Sequence, residues 1–402
     1  MNTLDAAATI EAAADLDRRL GVGGVLSHDE IRVSVAAAVA EALGLPGGGA
    51  EAVASCRDKA STRERFSTGG VPQPSSYAVS SFEEADSIGY PVVVKPRAPA
   101  GSMGVAHRTR PFLTVACALT DVVTALTGAV ICALLLTSAS PFLSVPVALA
   151  GCVLIARQLR ALENLTHEAS HYNWSRHHRR WNDVLGWLLS GLPTDGRLSA
   201  YRESHLRHHG RFGTLDDPDR RRYAELDLEA LNRTSPWAFA SSVVVRITRY
   251  QIGWLREVKT DLLASAGILL WSAVCAALPA TLLGGPVTGV LAEVVWLASA
   301  FVVLPVLRLI AEADEHIYSD CDTVFDATIS NVGLVQRVLI HPHADGYHTV
   351  HHLWPGIPHH ALRRVHRTLM THDPDYARRI RMRRGVLDTP RATTSDSYGK
   401  GV

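Results

Sequence analysis

Three short-spaced groups of histidine stand out in this chain: His167-Glu-Ala-Ser-His171, His205-Leu-Arg-His208-His209 and His348-Thr-Val-His351-His352. A single imidazole is readily explained as a surface or core residue. Eight in three groups are explained by neither packing nor solvation, and they read as a metal site. Imidazole nitrogen suits iron, zinc, copper and nickel, and this many ligands exceed one four-coordinate zinc, so two metal ions fit the count. Residues three or four apart on a helix project from one face. His167 can therefore converge with His171, and His205 with His208 or His209, on one ion. His348 with His351 and His352 repeats that geometry.

The first group also matches H-E-x-x-H, the zinc-peptidase helix in which the glutamate, here Glu168, is the general base. That reading leaves the other two groups unused, and Glu168→Gln separates the alternatives. In a redox site Glu168 would instead hydrogen-bond an imidazole N–H or a bound water, as carboxylates behind metal ligands commonly do. Asp216, Asp217 and Glu312 are open to the same role.

Elements must bring these groups together. The chain has 402 residues, 47% of them hydrophobic. Four apolar stretches, at 113–136, 142–162, 262–283 and 287–310, reach the roughly 20 helical residues that a bilayer requires. Uncharged turns, Thr137-Ser-Ala-Ser-Pro141 and Gly284-Gly-Pro286, pair them into two hairpins, which places all three histidine groups on one side of the membrane. Arginines crowd that side in 176–180, 220–222 and 378–384, so the positive-inside rule makes it cytosolic. Asp121 and Glu293 within the runs speak for buried helices of a soluble protein instead. Arg157, Arg160 and Arg308 sit where a long side chain can snorkel to water.

Residues 181–192 and 236–258 are shorter or more mixed, with tryptophans that suit an interfacial helix. The net charge of +1 offers no case for nucleic acid. Six cysteines without C-x-x-C spacing suggest neither a disulfide framework nor a cysteine-ligated cluster. The first thirty residues are too polar for a secretory signal.

Beyond the three groups, Tyr201-Arg-Glu-Ser-His-Leu-Arg-His-His209 with Asp216-Asp-Pro-Asp219, and His348-Thr-Val-His-His-Leu-Trp-Pro-Gly-Ile-Pro358, carry a resemblance. Over about 111–375 the chain resembles the membrane fatty-acid desaturase and hydroxylase superfamily. The resemblance implies a mainly α fold: an integral-membrane domain of four helices in two hairpins under a cytosolic helical cap. It also implies a non-haem di-iron centre using O2, ligated by His167, His171, His205, His208, His209, His348, His351 and His352. A further ligand, His316 of Glu315-His316, follows the fourth span. The implied reaction is desaturation of a fatty acyl or lipid-like chain, with hydroxylation of a lipid or specialised metabolite as the alternative. With no haem or iron–sulfur motif in the chain, electrons come from a separate donor such as a ferredoxin. The expected location is the plasma membrane, with metal site and N-terminus facing the cytosol.

Residues 1–107 are of another kind, a small α/β segment. Residues 29–43 have helical character, 90–95 read as a strand and 96–105 as a glycine-containing loop. Leu43-Gly-Leu-Pro46, Cys56-Arg-Asp-Lys59, Phe82-Glu-Glu-Ala85 and Ile88-Gly-Tyr-Pro-Val-Val-Val-Lys-Pro96 resemble the opening of an ATP-grasp carboxylate–amine ligase. By that resemblance Lys59 and Lys95 correspond to nucleotide-contacting positions. The segment ends before the magnesium-binding acids and most of the adenine pocket. A docking or stabilising module, or weak ATP affinity, is therefore expected rather than a working ligase. Residues 108–390 form the membrane domain and 391–402 a flexible tail.

Overall fold

The computed structural model describes residues 5–27, 32–79, 84, 109–138, 140–194, 196–258, 262–319 and 323–392. The chain divides into two compact units, Met1–His107 and Arg108–Val402.

In the first unit the described regular structure is helical. Asp5 caps Ala6–Leu20 by accepting the Ala8 N–H at 3.1 Å, and Asp58 caps Lys59–Thr68 through the Ala60 N–H at 2.9 Å. Val33–Ala42, within the stretch expected to be helical, packs on Ala50–Arg57 and buries Val39 and Ala40. Lys59 opens its helix. The strand over 90–95, the loop over 96–105 and Lys95 lie outside the described residues.

The second unit is built on four helices long and apolar enough to cross a membrane: Pro111–Ser138, Phe142–Ser170, Ala266–Gly284 and Pro286–Glu315. The second and fourth run beyond the apolar stretches that announce them. Backbone hydrogen bonding continues where the side chains turn polar, so these helices rise out of the bilayer carrying His167 and, just past its end, His316. The first two helices approach closely through small residues: Ala118, Ala125 and Ala129 are fully buried, and a Cβ on Gly151 would lie 2.4 Å from Cys132 Sγ. In the second hairpin Gly285, with φ 85°, makes the reversal that a side chain would oppose.

Large apolar side chains such as Ile131, Leu149, Leu270 and Val290 stand exposed on the outer faces of these helices. An apolar belt of that extent is covered by lipid in an integral membrane protein. The charged groups in the runs turn inward. Asp121 meets Arg157 at 3.3 Å and His343 at 2.6 Å, and Glu293 accepts from Ser272 at 2.7 Å. Arg160 does not snorkel to water as its position suggests. It is buried against Asp345 at 3.1 Å and donates to the Ile340 carbonyl at 3.1 Å.

The cap is largely helical, with Leu198–Arg211, Pro218–Leu226, Pro236–Val258, His348–Leu353 and His359–His372 as its main elements. Two apolar clusters hold it together, one around Tyr223, Leu228, Tyr250 and Leu309 and one around Val350, Leu362, Tyr376 and Ile380. A small sheet adds strands the sequence did not suggest. Ile329–Asn331 pairs parallel with Arg381–Arg383, which pairs antiparallel with Arg391–Ala392. Arg391 and Ala392, assigned to the tail by sequence, thus form one of the two edge strands, because main-chain pairing needs no apolar pattern. The rest of the tail lies outside the described residues.

Candidate metal centre

His167 lies in the last turn of the second spanning helix and His171 caps that helix. His205, His208 and His209 ride on Leu198–Arg211, His348, His351 and His352 on His348–Leu353, and His316 ends the fourth spanning helix. All nine converge, in two groups.

The first group is His167, His171, His205, His209 and His351. Around His205 Nε2 stand the Nε2 atoms of His171 at 2.8 Å, His167 at 2.9 Å and His209 at 3.1 Å. His351 Nε2 is 3.0 Å from those of both His167 and His209. The second group is His208, His316, His348 and His352, with His208 and His352 Nε2 3.3 Å apart and His316 and His348 Nε2 3.0 Å apart. The rings of His209 and His352 stack at 4.4 Å where the groups meet.

The helix explains the division. Residues four apart are about 40° apart around the axis, whereas neighbours differ by about 100°. His167 with His171, His205 with His209, and His348 with His352 therefore stay together. The remaining member of each later cluster crosses over: His208 joins the second group and His351 the first. Sequence spacing alone left the partner of His205 open.

The donor set fits metal ions. An imidazole Nε2 carries one proton or one lone pair, so His205 Nε2 cannot satisfy three nitrogen neighbours by hydrogen bonding. Nitrogens about 2.1 Å from a shared ion and at right angles to one another lie about 3.0 Å apart, while a tetrahedral ion would space them at about 3.4 Å. The 2.8–3.1 Å spacings in the first group are those of nitrogens that could share one ion. Burial, then mutual repulsion of neighbouring imidazoles, holds His171, His205, His316, His348, His351 and His352 well below the ordinary histidine range, and His209 is pushed down to about 2. The rings are therefore neutral, with lone pairs available.

Behind the nitrogens stand acceptors that decide which nitrogen is protonated. His208 Nδ1 donates to Asp217 Oδ1 at 2.8 Å; burial pulls His208 down, but this bond together with the charges of Asp219 and Asp217 raises it above its ordinary value. His316 Nδ1 is 3.2 Å from the Ala327 carbonyl. His167 Nδ1 lies 3.5 Å from Asp345 Oδ1, and the other oxygen of Asp345 takes Arg160 at 3.1 Å and His341 Nδ1 at 3.2 Å. The sequence reading missed Asp345, because it reaches His167 only through a turn in which His343 and Ala344 adopt φ of 56° and 63°. It also missed Tyr201, whose ring stacks on His205 at 5.3 Å; their spacing of four residues on one helix was the available signal.

Glu168 lines a small cavity with His167 and His351, while the other candidates are engaged elsewhere. Glu168 Oε2 accepts the backbone N–H of His359 at 2.7 Å. Asp216 is exposed, and Glu312 accepts from Arg222 at 2.9 Å and Tyr250 at 2.8 Å. His343 turns to Asp121; burial pulls it down, but the bonds and charges of Asp121 and Cys117 together push it up to about 9.

Comparison with known proteins agrees with this architecture. The fatty acid desaturase family profile matches residues 110–384. Dihydrorhizobitoxine desaturase of Bradyrhizobium elkanii is 26% identical over 249 residues, which cover 56% of this chain and 68% of that protein. A shorter match, 29% identical over 100 residues, is to Alanine--anticapsin ligase of Bacillus subtilis (strain 168). It covers 24% of this chain and only 21% of that ligase. With the family profile spanning four membrane helices and all nine clustered histidines, the chain belongs to the fatty acid desaturase family.

Proposed function

We propose that this protein is a membrane-bound di-iron oxidase that uses O2 to introduce a double bond into a fatty acyl or lipid-like chain. The observation that carries the reading is the convergence of nine histidines into groups of five and four at one end of a spanning bundle. In this reading His167, His171, His205, His209 and His351 hold one iron, and His208, His316, His348 and His352 the other. Two irons would supply the oxidant that side chains lack, O2 becoming two waters with two electrons from the substrate's C–H bonds and two from an external donor.

The chain's own residues have simpler tasks. Asp217 and Asp345 keep the protons of His208 and His167 on Nδ1, so that each Nε2 offers its lone pair inward. Glu168, held by the His359 N–H, positions the His359–His372 helix against the second spanning helix. This anchoring role is the one we assign it in place of a peptidase's general base.

A relative named for dihydrorhizobitoxine supports a second substrate reading, a specialised metabolite, and hydroxylation of either substrate is the alternative reaction. The electron donor is a separate protein such as a ferredoxin. The reading takes the membrane to be the plasma membrane, and the arginine asymmetry supports a centre and N-terminus in the cytosol. For the N-terminal segment, Lys59 and Lys95 leave weak ATP binding as the alternative to a docking role, and a titration of the full chain with ATP separates the two.

The test is expression of the full chain in a lipid-producing host, with metal analysis of the purified protein. Loss of about two mass units in a product marks desaturation, and gain of about sixteen marks hydroxylation. The di-iron reading fails if His208→Ala carries as much iron as the parent.

A further inference from the structure

The segment just before the third histidine cluster has a construction that the oxidase reading leaves unused. Three side chains spaced along one face of the second spanning helix hold three of its alternate carbonyls: Arg157 Nε donates to Val338 O at 2.9 Å, Arg160 Nε to Ile340 O at 3.1 Å, and Asn164 Nδ2 to Pro342 O at 2.8 Å. Gln336–Ile340 is a single π-helical turn. Its inward side chains Gln336 and Ile340 are buried, while Leu334, Val335 and Val338 are 69%, 57% and 53% exposed.

Depth follows from helix geometry. With Phe142 at the far edge of the hydrocarbon, Arg157, Arg160 and Asn164 stand about 22, 27 and 33 Å above it at 1.5 Å per residue. The hydrocarbon is about 30 Å thick. Val338 is therefore level with the interior of the leaflet on the metal-centre side, and the chain climbs to its boundary by Pro342.

Backbone that is not α-helical is tolerated at that depth only where its polar groups are satisfied by protein. The ladder from the spanning helix does this. It also accounts for two arginines inside an apolar run, and Asp121 balances Arg157 at 3.3 Å. We propose that residues 334–338 are a wedge inserted into the bilayer, with Leu334, Val335 and Val338 against the acyl chains of the leaflet on the metal-centre side. The occupant is lipid because the exposed apolar side chains continue the belt of the spanning helix to which the wedge is hydrogen-bonded.

The wedge is also tied to the cap. The Val332 N–H donates to Arg383 O at 2.9 Å, and a Cβ on Gly333 would come within 1.5 Å of Arg384 O, so the chain enters the wedge without slack. His348 follows a few residues after Pro342. The bilayer thereby sets the depth of the third histidine cluster.

The test places a benzophenone side chain at Val335 or Val338 of the full-length protein in vesicles of phosphatidylethanolamine and phosphatidylglycerol. Irradiation is followed by mass analysis of peptide adducts. Leu270, exposed on a spanning helix, and Arg378, exposed on the cap, are the reference positions. Phospholipid adducts at 335 and 338 are expected within about two-fold of Leu270 and about ten-fold above Arg378. Yields at the level of Arg378, or adducts to a second copy of the chain, overturn the proposal.

Discussion

His208 and Asp217 meet at 2.8 Å with both side chains closed off from solvent. The carboxylate also accepts the N–H groups of Gly213 at 3.0 Å and Asp219 at 2.9 Å, so it caps the following helix while it orients the imidazole. Asn in its place keeps an acceptor for the cap but loses the charge. Asp217→Asn is expected to weaken metal binding in the four-histidine group by about 10–100-fold and to leave melting little changed. Iron content after dialysis against a graded chelator series measures this.

Asp345 carries a heavier load, since Arg160, His341 and His167 all face it. Burial works against its charge, but the bonds from His167 and His341 and the field of Arg160 hold it well below the usual carboxylate range. Asp345→Ala removes the nearest carboxylate to the buried Arg160 and leaves it the longer pairs with Glu163 at 3.6 Å and Glu315 at 3.8 Å, so the cost should fall below the about 3–5 kcal/mol of a fully orphaned buried charge. Expected are a clear fall in melting temperature and loss of iron from the five-histidine group. Asp345→Asn should recover part of the stability, which thermal unfolding in detergent will read.

The metal-free protein should be acid-sensitive. His209 and its neighbours have folded-state values pushed far below the ordinary histidine value of about 6.5, which the unfolded chain retains. Between those limits the unfolded state binds more protons, so stability is full above about pH 6.5 and falls as pH drops towards the folded values, about 2 for His209. Melting of the chelated protein should hold between pH 7.5 and about pH 6.5 and decline steadily from there to pH 5. A flat profile would show that the imidazoles are not held neutral by the fold.

Glu168 separates anchoring from proton transfer. Gln retains an oxygen for the His359 N–H, so Glu168→Gln should keep most activity, whereas Glu168→Ala should lose stability and activity together. Product formation alongside melting tells them apart. Collapse of activity in the Gln variant with unchanged melting would return Glu168 to the chemistry.

Gly151 tests the helix packing beneath the centre. Gly151→Ala drives a Cβ into Cys132 Sγ, at an expected cost of about 1–3 kcal/mol. Cys132→Ala in the same chain removes the sulfur and should restore part of the loss, visible as a positive coupling in a double-mutant cycle.

The sequence by itself marked the histidine clusters and the membrane helices. Both are local signals: three and four residue spacings put His167 with His171 on one helix face, and hydropathy over about 20 residues marks a span. It could not say that His205 keeps company with His209 while His208 goes to His316 and His352, because that depends on where separate helices stand. Asp345 and the wedge at 334–338 were invisible for the same reason. Asp345 reaches His167 through a turn with positive φ, and the carbonyls of Val338, Ile340 and Pro342 are met by side chains from a helix more than 170 residues earlier. Main-chain acceptors carry no residue type, so only the tertiary structure could decide which side chains would satisfy them.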